Sequence, residues 1–203
     1  LRIEGDGVGR PVDLRFDALL RLSSRSVTAY VECAGNGRAF FNEFMGKVAS
    51  GTQWRYGAIG VAEWTGVPLG AVLELARARP DTPRDILNVL IEGLDSVKVN
   101  RPISLAKALE DDTLLAYAFN GEPVPADHGF PVRAIVPGWV GINSIKWGGR
   151  MEVRKTVVGV PTPSTLCSFG RVVVYCRWMR LSGKMIGAAP KAASAASWKP
   201  DRI

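Results

Sequence analysis

The sequence has a single histidine, His128, and only three cysteines, Cys33, Cys167 and Cys176. None of the cysteines belongs to a Cys-x-x-Cys pair or to a Cys-x-x-Cys-His haem attachment motif, so neither a disulfide framework nor a covalently held haem is indicated. No apolar run reaches the roughly 18 residues that a membrane-spanning helix needs, and no membrane span is expected. The chain also has no internal repeat and no glycine-rich dinucleotide fingerprint, which argues against repeat architectures and dinucleotide-binding folds.

Acidic residues are scarce in one part of the chain only. The formal net charge is +7, yet residues 1–153 carry 17 Lys and Arg against 18 Asp and Glu. Residues 154–203 carry 9 basic residues against one acid, Asp201. A basic tail can bind nucleic acid or a membrane surface. Because no aromatic ladder or amphipathic repeat accompanies this one, nucleic acid is not expected as a partner.

The length of 203 residues, with 47% hydrophobic side chains, is enough for one sizeable domain with its own core. Many short strand-like runs and a few short helical runs follow one another, which predicts a mixed α+β fold. Residues 39–53 are predicted to be a loop, with Phe40, Phe41 and Phe44 packed inside. The predicted strands are 1–5, 27–32, 85–93, 113–119, 130–136 and 144–153, and the predicted helices are 13–22, a helix that starts at 65–68, and 103–109.

One stretch combines a strand end, a thiol, a tight turn and an arginine: Val31-Glu32-Cys33-Ala34-Gly35-Asn36-Gly37-Arg38. The thiolate is the form of cysteine that binds metals, and soft thiolates select transition metals over Mg²⁺ or Ca²⁺. The glycines let the backbone approach a bulky ligand closely. Arg38 supplies a permanent cation that can bind an oxyanion through two N–H groups. The alternative interpretation is that Cys33 is a small buried hydrophobic residue.

A second group of polar residues lies between 128 and 147, on predicted loops and strand ends: His128, Arg133, Ser144 and Lys146. Together these side chains supply the hydrogen-bond donors that a phosphate or pyrophosphate needs. In the alternative interpretation, Arg133 and Lys146 are solvated strand charges and His128 caps a loop. A carboxylate, Asp95, directly follows the predicted strand 85–93.

Six motifs follow one another along residues 1–153. They are 31–38 (VECAGNGR), 63–69 (EWTGVPL), 92–95 (EGLD), 115–123 (LAYAFNGEP), 127–133 (DHGFPVR), and 136–141 (VPGWVG) running into 144–147 (SIKW). In this order they resemble the sulfite oxidase family of molybdenum enzymes. The resemblance implies a sulfite-oxidase-type molybdopterin-binding fold with mixed β-sheets and short helices.

The resemblance also implies a cofactor and a set of roles. Molybdenum would be held by Cys33 and by the dithiolene of a single molybdopterin. Asp95 would bind the pterin, and Arg38 would lie near the substrate oxyanion. By the same match, the pterin and its phosphate would be held by His128, Arg133, Ser144 and Lys146.

The reaction implied by the resemblance is the oxidation of sulfite to sulfate by oxygen-atom transfer. Since the sequence has no haem motif, the electrons would pass to an external acceptor such as a cytochrome. Two alternatives stay open: a same-fold enzyme acting on sulfane sulfur, a sulfoxide or nitrate, and an inactive truncated remnant. A periplasmic location is expected by resemblance if an export signal lies upstream of Leu1.

Residues 1–153 are thus predicted to be a molybdopterin-binding oxidoreductase domain that is incomplete at its N-terminus. Residues 154–203 do not resemble the immunoglobulin-like dimerisation domain that follows in the family. The abrupt fall in acid content at Val153 leads to the hypothesis that this basic tail is a shifted reading frame or a truncation artefact. The active-site tyrosine of the family would lie a little beyond Val153. Tyr175 is the only tyrosine in the tail, and this role is not assigned to it.

Overall fold

A computed structural model describes residues 1–78 and 88–155. Cys167, Tyr175 and Cys176, and nearly all of the predicted basic tail, lie outside the described residues. No helix within the described ranges is long and apolar enough to cross a membrane. The strands are Arg2–Glu4 (β1), Val12–Asp13 (β2), Arg25–Glu32 (β3), Ile59–Pro68 (β4), Asn88–Gly93 (β5), Asn100–Ser104 (β6), Leu114–Phe119 (β7), Glu122–Pro123 (β8), Arg133–Ile135 (β9) and Gly148–Arg154 (β10). The α-helices are Phe16–Leu19 (α1), Ala39–Met45 (α2), Leu69–Leu75 (α3) and Leu105–Ala108 (α4), and 3-10 turns occupy Ala126–His128 and Gly141–Asn143.

The first sheet has the strand order β2-β1-β10-β5-β6. β1 runs parallel to β10, with Ile3 opposite Met151, and the other pairs are antiparallel. Ile3, Met151, Val89, Ile91 and Ile103 are fully or almost fully buried in the main core. This burial of one face, rather than strand propensity alone, fixes the register of the sheet.

The second sheet has the order β3-β4-β7-β8, and β9 pairs with the same edge of β7 as β8 does. Trp64 and Ile135 contribute to a second buried cluster on this sheet. The hairpin between β7 and β8 turns at Asn120 and Gly121, whose φ angles are 50° and 82°. Two consecutive left-handed residues are typical of a tight hairpin turn. The predicted Asn-Gly turn and the predicted α+β class are both confirmed.

The predicted loop at 39–53 is wrong for Ala39–Met45, where the structure forms α2, and is confirmed for residues 46–53. Phe40 and Phe44 are one helical turn apart and stack with ring centroids 5.7 Å apart, a pair that supports a short helix. Gly46, with a φ of 62°, ends the helix in the left-handed conformation. The expected packing of Phe44 is also wrong, since its side chain is 80% exposed.

Strand pairing moves the start of three predicted helices to a later residue. The helix predicted at 13–22 shrinks to α1, because Asp13 pairs with Arg2 in the first sheet. Residues 65–68 end β4, so α3 begins only after Pro68. Ile103 pairs with Val89 in β6, and the helix predicted at 103–109 is reduced to α4. In each case contacts between distant strands override the local helical pattern.

Candidate functional site

β3 delivers Cys33 to the surface at the start of a tight turn. The Cys33 backbone N–H donates to the carbonyl oxygen of Ala58 at 2.9 Å, and the N–H of Asn36 donates to the Cys33 carbonyl oxygen at 2.9 Å. The backbone N–H of Gly35 donates to Cys33 Sγ at 3.3 Å. Cys33 is a free, exposed cysteine, which contradicts the alternative of a small buried hydrophobic residue. The sulfur is therefore accessible from outside and already accepts one hydrogen bond.

Arg38 is held beside the same turn. Its Nη1 donates to the carbonyl oxygen of Thr52 at 3.0 Å. A Cβ atom on Gly35 would lie 2.8 Å from Cζ of Arg38, and a side chain at Gly51 would collide with the same guanidinium. The two glycines therefore leave room for the guanidinium. An arginine has five N–H donors, so the carbonyl contact leaves donors for an anion.

A cavity of about 180 Å³ is lined by the loop between β5 and β6, by β9 and by the segment before β10. Its apolar lining comes from Val99, Gly141, Ile142 and Ile145. Its polar lining comes from Asp95, Arg133, Ser144, Lys146 and Trp147. Four predicted site residues, Asp95, Arg133, Ser144 and Lys146, are thus brought together, whereas Cys33, Arg38 and His128 do not line this cavity.

Arg133 is the buried cation of the cavity, with only 9% of its surface exposed. Its Nη1 donates to the carbonyl oxygen of His128 at 3.1 Å, and its Cζ lies 5.2 Å from the centroid of the Trp64 ring. Its Nε is buried and has no hydrogen-bond partner. Burial alone lowers the pKa of the Arg133 guanidinium to about 10, which keeps the side chain positively charged at neutral pH. The cavity therefore contains a buried cation with an unused donor.

Ser144 and Lys146 add two further donors. The backbone N–H of Val136 donates to Ser144 Oγ at 3.2 Å, which leaves the hydroxyl proton of this buried serine for an acceptor. Lys146 Nζ donates to the carbonyl oxygen of Asp127 at 2.7 Å and lies 4.6 Å from the centroid of the Trp147 ring. These contacts hold the ammonium group in place while two of its three protons remain available.

Asp95 follows the end of β5, and this strand end packs against the segment that carries Lys146. Its Oδ1 accepts the backbone N–H of Val99 at 3.3 Å. A Cβ atom on Gly93 would lie 2.7 Å from Asp95 Oδ1 and 2.8 Å from the carbonyl oxygen of Lys146. Only a residue without a side chain allows the two backbones to approach this closely. The glycine thus brings the Asp95 carboxylate and Lys146 to one wall.

His128 contributes to the site through its backbone. Its exposed imidazole stacks on Phe119, with ring centroids 5.3 Å apart and an interplanar angle of 25°. Its carbonyl oxygen is the one that accepts from Arg133. The next residue, Gly129, has a φ of 113°, and a Cβ atom there would lie 2.9 Å from Cβ of Lys146. The loop of His128 therefore touches both cations of the cavity.

Gly141 connects the cavity to the strand end that carries Cys33. A Cβ atom on Gly141 would lie 2.7 Å from the carbonyl oxygen of Glu32 and 2.9 Å from Cγ1 of Val31. Since Gly141 also lines the cavity, the cavity wall abuts the residue that precedes Cys33. The thiol and the anion-binding cavity are therefore neighbouring features.

Five lining residues are absent from the predicted site residues: Val99, Gly141, Ile142, Ile145 and Trp147. Trp147 has a φ of 53°, and its Nε1 donates to the carbonyl oxygen of Ala126 at 3.0 Å. It follows Lys146 directly, so its position in the chain was the available signal. Gly141 ends the motif 136–141, which predicted no role in the site for it. Its close packing depends on residues more than a hundred positions away, which the local pattern does not contain.

A profile for the oxidoreductase molybdopterin binding domain matches residues 1–159. The chain belongs to this family. Mitochondrial sulfite oxidase of Rattus norvegicus is 40% identical over 159 residues, which are 75% of this chain and 28% of the rat protein. Nitrate reductase [NADH] of Ulva prolifera is 32% identical over 158 residues, which are 72% of this chain and 18% of the algal protein. The domain therefore spans less than a third of either relative.

A solved structure is similar as well. The crystal structure of the sulfane dehydrogenase SoxCD from Paracoccus pantotrophus matches with a TM-score of 0.67 and 34% sequence identity. The match covers 79% of this chain and 39% of that chain. The predicted molybdopterin-binding fold is thus confirmed. The chain is a molybdopterin-binding oxidoreductase domain of the family that includes sulfite oxidase, nitrate reductase and SoxCD, and this family implies a molybdenum cofactor.

The residues present fit such a cofactor. The buried Nε–H of Arg133 lacks a partner, and Ser144 and Lys146 offer further donors to the same cavity, which is the chemistry that a phosphate requires. Within the described ranges, no group of three or more His, Cys, Asp or Glu side chains could hold a metal ion.

Proposed function

We propose that the cavity of this molybdopterin-binding domain holds the phosphate of the pterin, and that Cys33 holds the molybdenum. The observation that carries the proposal is the buried, unpartnered Nε–H of Arg133 in a cavity whose wall touches the strand end before Cys33. Arg133, Ser144 and Lys146 bind the phosphate. Asp95 binds the pterin, whose ring N–H groups are donors for a carboxylate. His128 supports the site by fixing Arg133 through its carbonyl oxygen.

The residues around Cys33 fit the metal end of the cofactor. The Gly35 N–H, 3.3 Å from Sγ, stabilises the negative charge of the coordinating thiolate. The exposed position of Cys33 leaves its sulfur accessible to a large ligand. When bound, the molybdenum cofactor supplies two-electron oxygen-atom transfer, and the protein supplies binding, orientation and charge.

Arg38 is proposed to bind the substrate oxyanion. Its contact with the Thr52 carbonyl oxygen fixes the plane of the guanidinium, and its other N–H groups remain available. A planar guanidinium binds two oxygens of an oxyanion at once, which orients the substrate as well as attracting it. Arg38 lies five residues after Cys33, at the end of the same turn, which supports a substrate site beside the metal.

The reaction proposed is the oxidation of sulfite, SO₃²⁻ + H₂O → SO₄²⁻ + 2H⁺ + 2e⁻, with both electrons passing to an external acceptor such as a cytochrome. The sulfite oxidases with about 40% identity support it. A second candidate is the oxidation of sulfane sulfur, which the structural similarity to SoxCD supports. Nitrate reduction is a third, supported by the algal relative.

The first experiment measures molybdenum and pterin in protein purified from a host that makes molybdopterin. Elemental mass spectrometry of the wild-type protein should give near-stoichiometric molybdenum, and Cys33→Ala should lose it. Cys167→Ala is the matched control and should retain the metal. Molybdenum that stays bound in Cys33→Ala would move the metal site away from this turn. A folded wild-type protein with neither metal nor pterin would support the inactive remnant instead.

The second experiment separates the candidate substrates on the loaded protein. The oxidation of sulfite and of sulfane sulfur is followed with a cytochrome or a dye as electron acceptor, and nitrate and sulfoxide reduction are followed with a reduced dye as donor. Arg38→Met should lower kcat/KM for the physiological oxyanion about 100-fold, because a charge-assisted pair of hydrogen bonds is lost. An Arg38→Met protein with unchanged kcat/KM would remove Arg38 from the substrate site.

A further inference from the structure

The guanidinium of Arg38 is held by the backbone of the loop that follows α2. Its Nη1 donates to the carbonyl oxygen of Thr52 at 3.0 Å, and a Cβ atom on Gly51 would collide with the same nitrogen. No carboxylate in the described part of the chain forms an ion pair with Arg38. A neutral acceptor therefore fixes this guanidinium and leaves its charge for an anion.

The side chain of Gln53 closes the loop that presents this carbonyl oxygen. Its Nε2 donates to the carbonyl oxygen of Ala49 at 2.6 Å and to that of Gly51 at 2.8 Å. A glutamine amide has two N–H donors, and both are used here. The two bonds hold the chain directly before Thr52, including the glycine that packs against Arg38.

The chain after Thr52 is fixed by its backbone instead. The N–H of Trp54 donates to the Thr52 carbonyl oxygen at 3.0 Å, and the N–H of Ala39 donates to the Trp54 carbonyl oxygen at 3.0 Å. By contrast, residues 48–51 form no backbone–backbone hydrogen bond with any described residue. The Gln53 amide therefore replaces, for this part of the loop, the bonds that the backbone does not make.

We propose that Gln53 is a positioning residue for the substrate oxyanion: it holds the loop that orients Arg38 and thereby sets the affinity for the substrate. The proposal rests on the proposed function, which assigns the oxyanion to Arg38. A guanidinium that is already fixed loses less side-chain freedom when an anion binds, so its affinity is higher. Gln53 lies outside the motifs that carry the family resemblance, which implies no role for it.

The first test measures how Arg38 is held, on protein purified from a host that makes molybdopterin. Phenylglyoxal reacts with both terminal nitrogens of an arginine, and peptide mass spectrometry gives its rate at Arg38. Gln53→Met keeps the side-chain length without donors and should raise this rate about fivefold, as expected for the loss of one hydrogen bond. Ser50→Ala is the matched control and should react as the wild type does, because the Ser50 side chain forms no hydrogen bond with a described residue.

The second test measures steady-state kinetics with the oxyanion that the loaded wild-type protein turns over. Gln53→Met should raise KM about fivefold and leave kcat within about twofold, since the ordered guanidinium contributes equally to binding the substrate and the transition state. Molybdenum content should stay at the wild-type level, which separates positioning of Arg38 from damage to the fold. A fall in kcat at unchanged KM would overturn the proposal.

The outcomes separate this proposal from the proposed function. If Arg38→Met is impaired while Gln53→Met matches the wild type in phenylglyoxal rate and in KM, the role of Gln53 is refuted and the substrate site stands. If Arg38→Met has unchanged kcat and KM, Arg38 does not bind the substrate, and this proposal fails together with that part of the proposed function.

Discussion

Arg133→Met in the cofactor-free protein tests whether this arginine is kept for binding rather than for folding. Arg133 is buried, has no anionic partner in the described part of the chain, and leaves its Nε–H unused. A cation held in this way costs folding free energy until an anion arrives. The expected result is therefore a variant that folds about as stably as the wild type but binds phosphate more weakly.

The magnitude follows from the contacts. Burial lowers the pKa of Arg133 to about 10. At about 1.4 kcal/mol for each pKa unit, holding the charge in the site costs roughly 3 kcal/mol. Against this, the bond to the His128 carbonyl oxygen contributes about 1 kcal/mol, and the contact with the Trp64 ring contributes about 1–2 kcal/mol. The terms nearly cancel, so Arg133→Met should change the free energy of unfolding by no more than about 1 kcal/mol.

The assay is urea unfolding of cofactor-free protein, with Lys107→Met as the matched control. Lys107 is also a buried cation, but its Nζ lies 2.7 Å from Glu110 Oε2 and 2.8 Å from Asp112 Oδ1. Removing it breaks two ion pairs whose carboxylates are partly exposed, and we expect a loss of about 2 kcal/mol. Phosphate binding should be unaffected in this control, whereas Arg133→Met should lose 10- to 100-fold, the equivalent of one charge-assisted bond.

A different pattern would refute the reasoning. Arg133 is a structural residue if Arg133→Met lowers the free energy of unfolding by at least 3 kcal/mol while Lys107→Met lowers it by less. Its unpaired Nε–H then has no functional meaning. The midpoint and the slope of the urea transition are compared together, since a change of slope would indicate a change in the unfolded or native state rather than in stability.

Two further predictions concern packing and charge. Gly141→Ala should lower the free energy of unfolding by about 1–3 kcal/mol and reduce cofactor content, because the added Cβ would clash with the Glu32 carbonyl oxygen. Gly60→Ala is the control, since the space around Gly60 is open. Equal effects of the two substitutions would contradict the reasoning. Hydrogen bonds lower the pKa of the Glu4 carboxyl group, and the bond from Arg150 has the largest effect. The stabilisation of the folded state by these bonds is present above the ordinary pKa of a glutamate and is lost as the pH falls through the lowered value. An NMR titration of Arg150→Met should show the pKa of Glu4 rising, and an unchanged value would disprove the pairing.

The predictions from sequence were confirmed where a short-range pattern defines a strand or a turn. The strand before Cys33, the buried strand before Asp95 and the Asn120-Gly121 turn follow from short-range signals, and the structure contains all three. The predicted donor group comprised His128, Arg133, Ser144 and Lys146. The cavity unites the last three with Asp95, whereas His128 does not line it. The individual roles of these residues stay predictions until binding is measured.

Features that depend on contacts between distant parts of the chain could not be found in the same way. α2 was missed because its aromatic residues interact with one another and with Tyr56 rather than forming a buried stripe. Gly141 packs against the carbonyl oxygen of Glu32, more than a hundred positions away, and no periodic pattern in the sequence connects the two residues. A buried unpartnered donor is a property of a folded structure, and one sequence does not display it.

The parallel pairing of β1 with β10 has a consequence for how the domain assembles. Glu4 and Arg150, which form an ion pair across these strands, are 146 residues apart in sequence. Contacts of such long range slow folding, because a large loop must close before they contribute. During synthesis, β1 cannot pair with β10 until nearly the whole domain has left the ribosome. A nascent chain stopped before residue 148 would expose the lateral edges of β1 and β5, and chaperone demand should drop sharply once β10 has emerged.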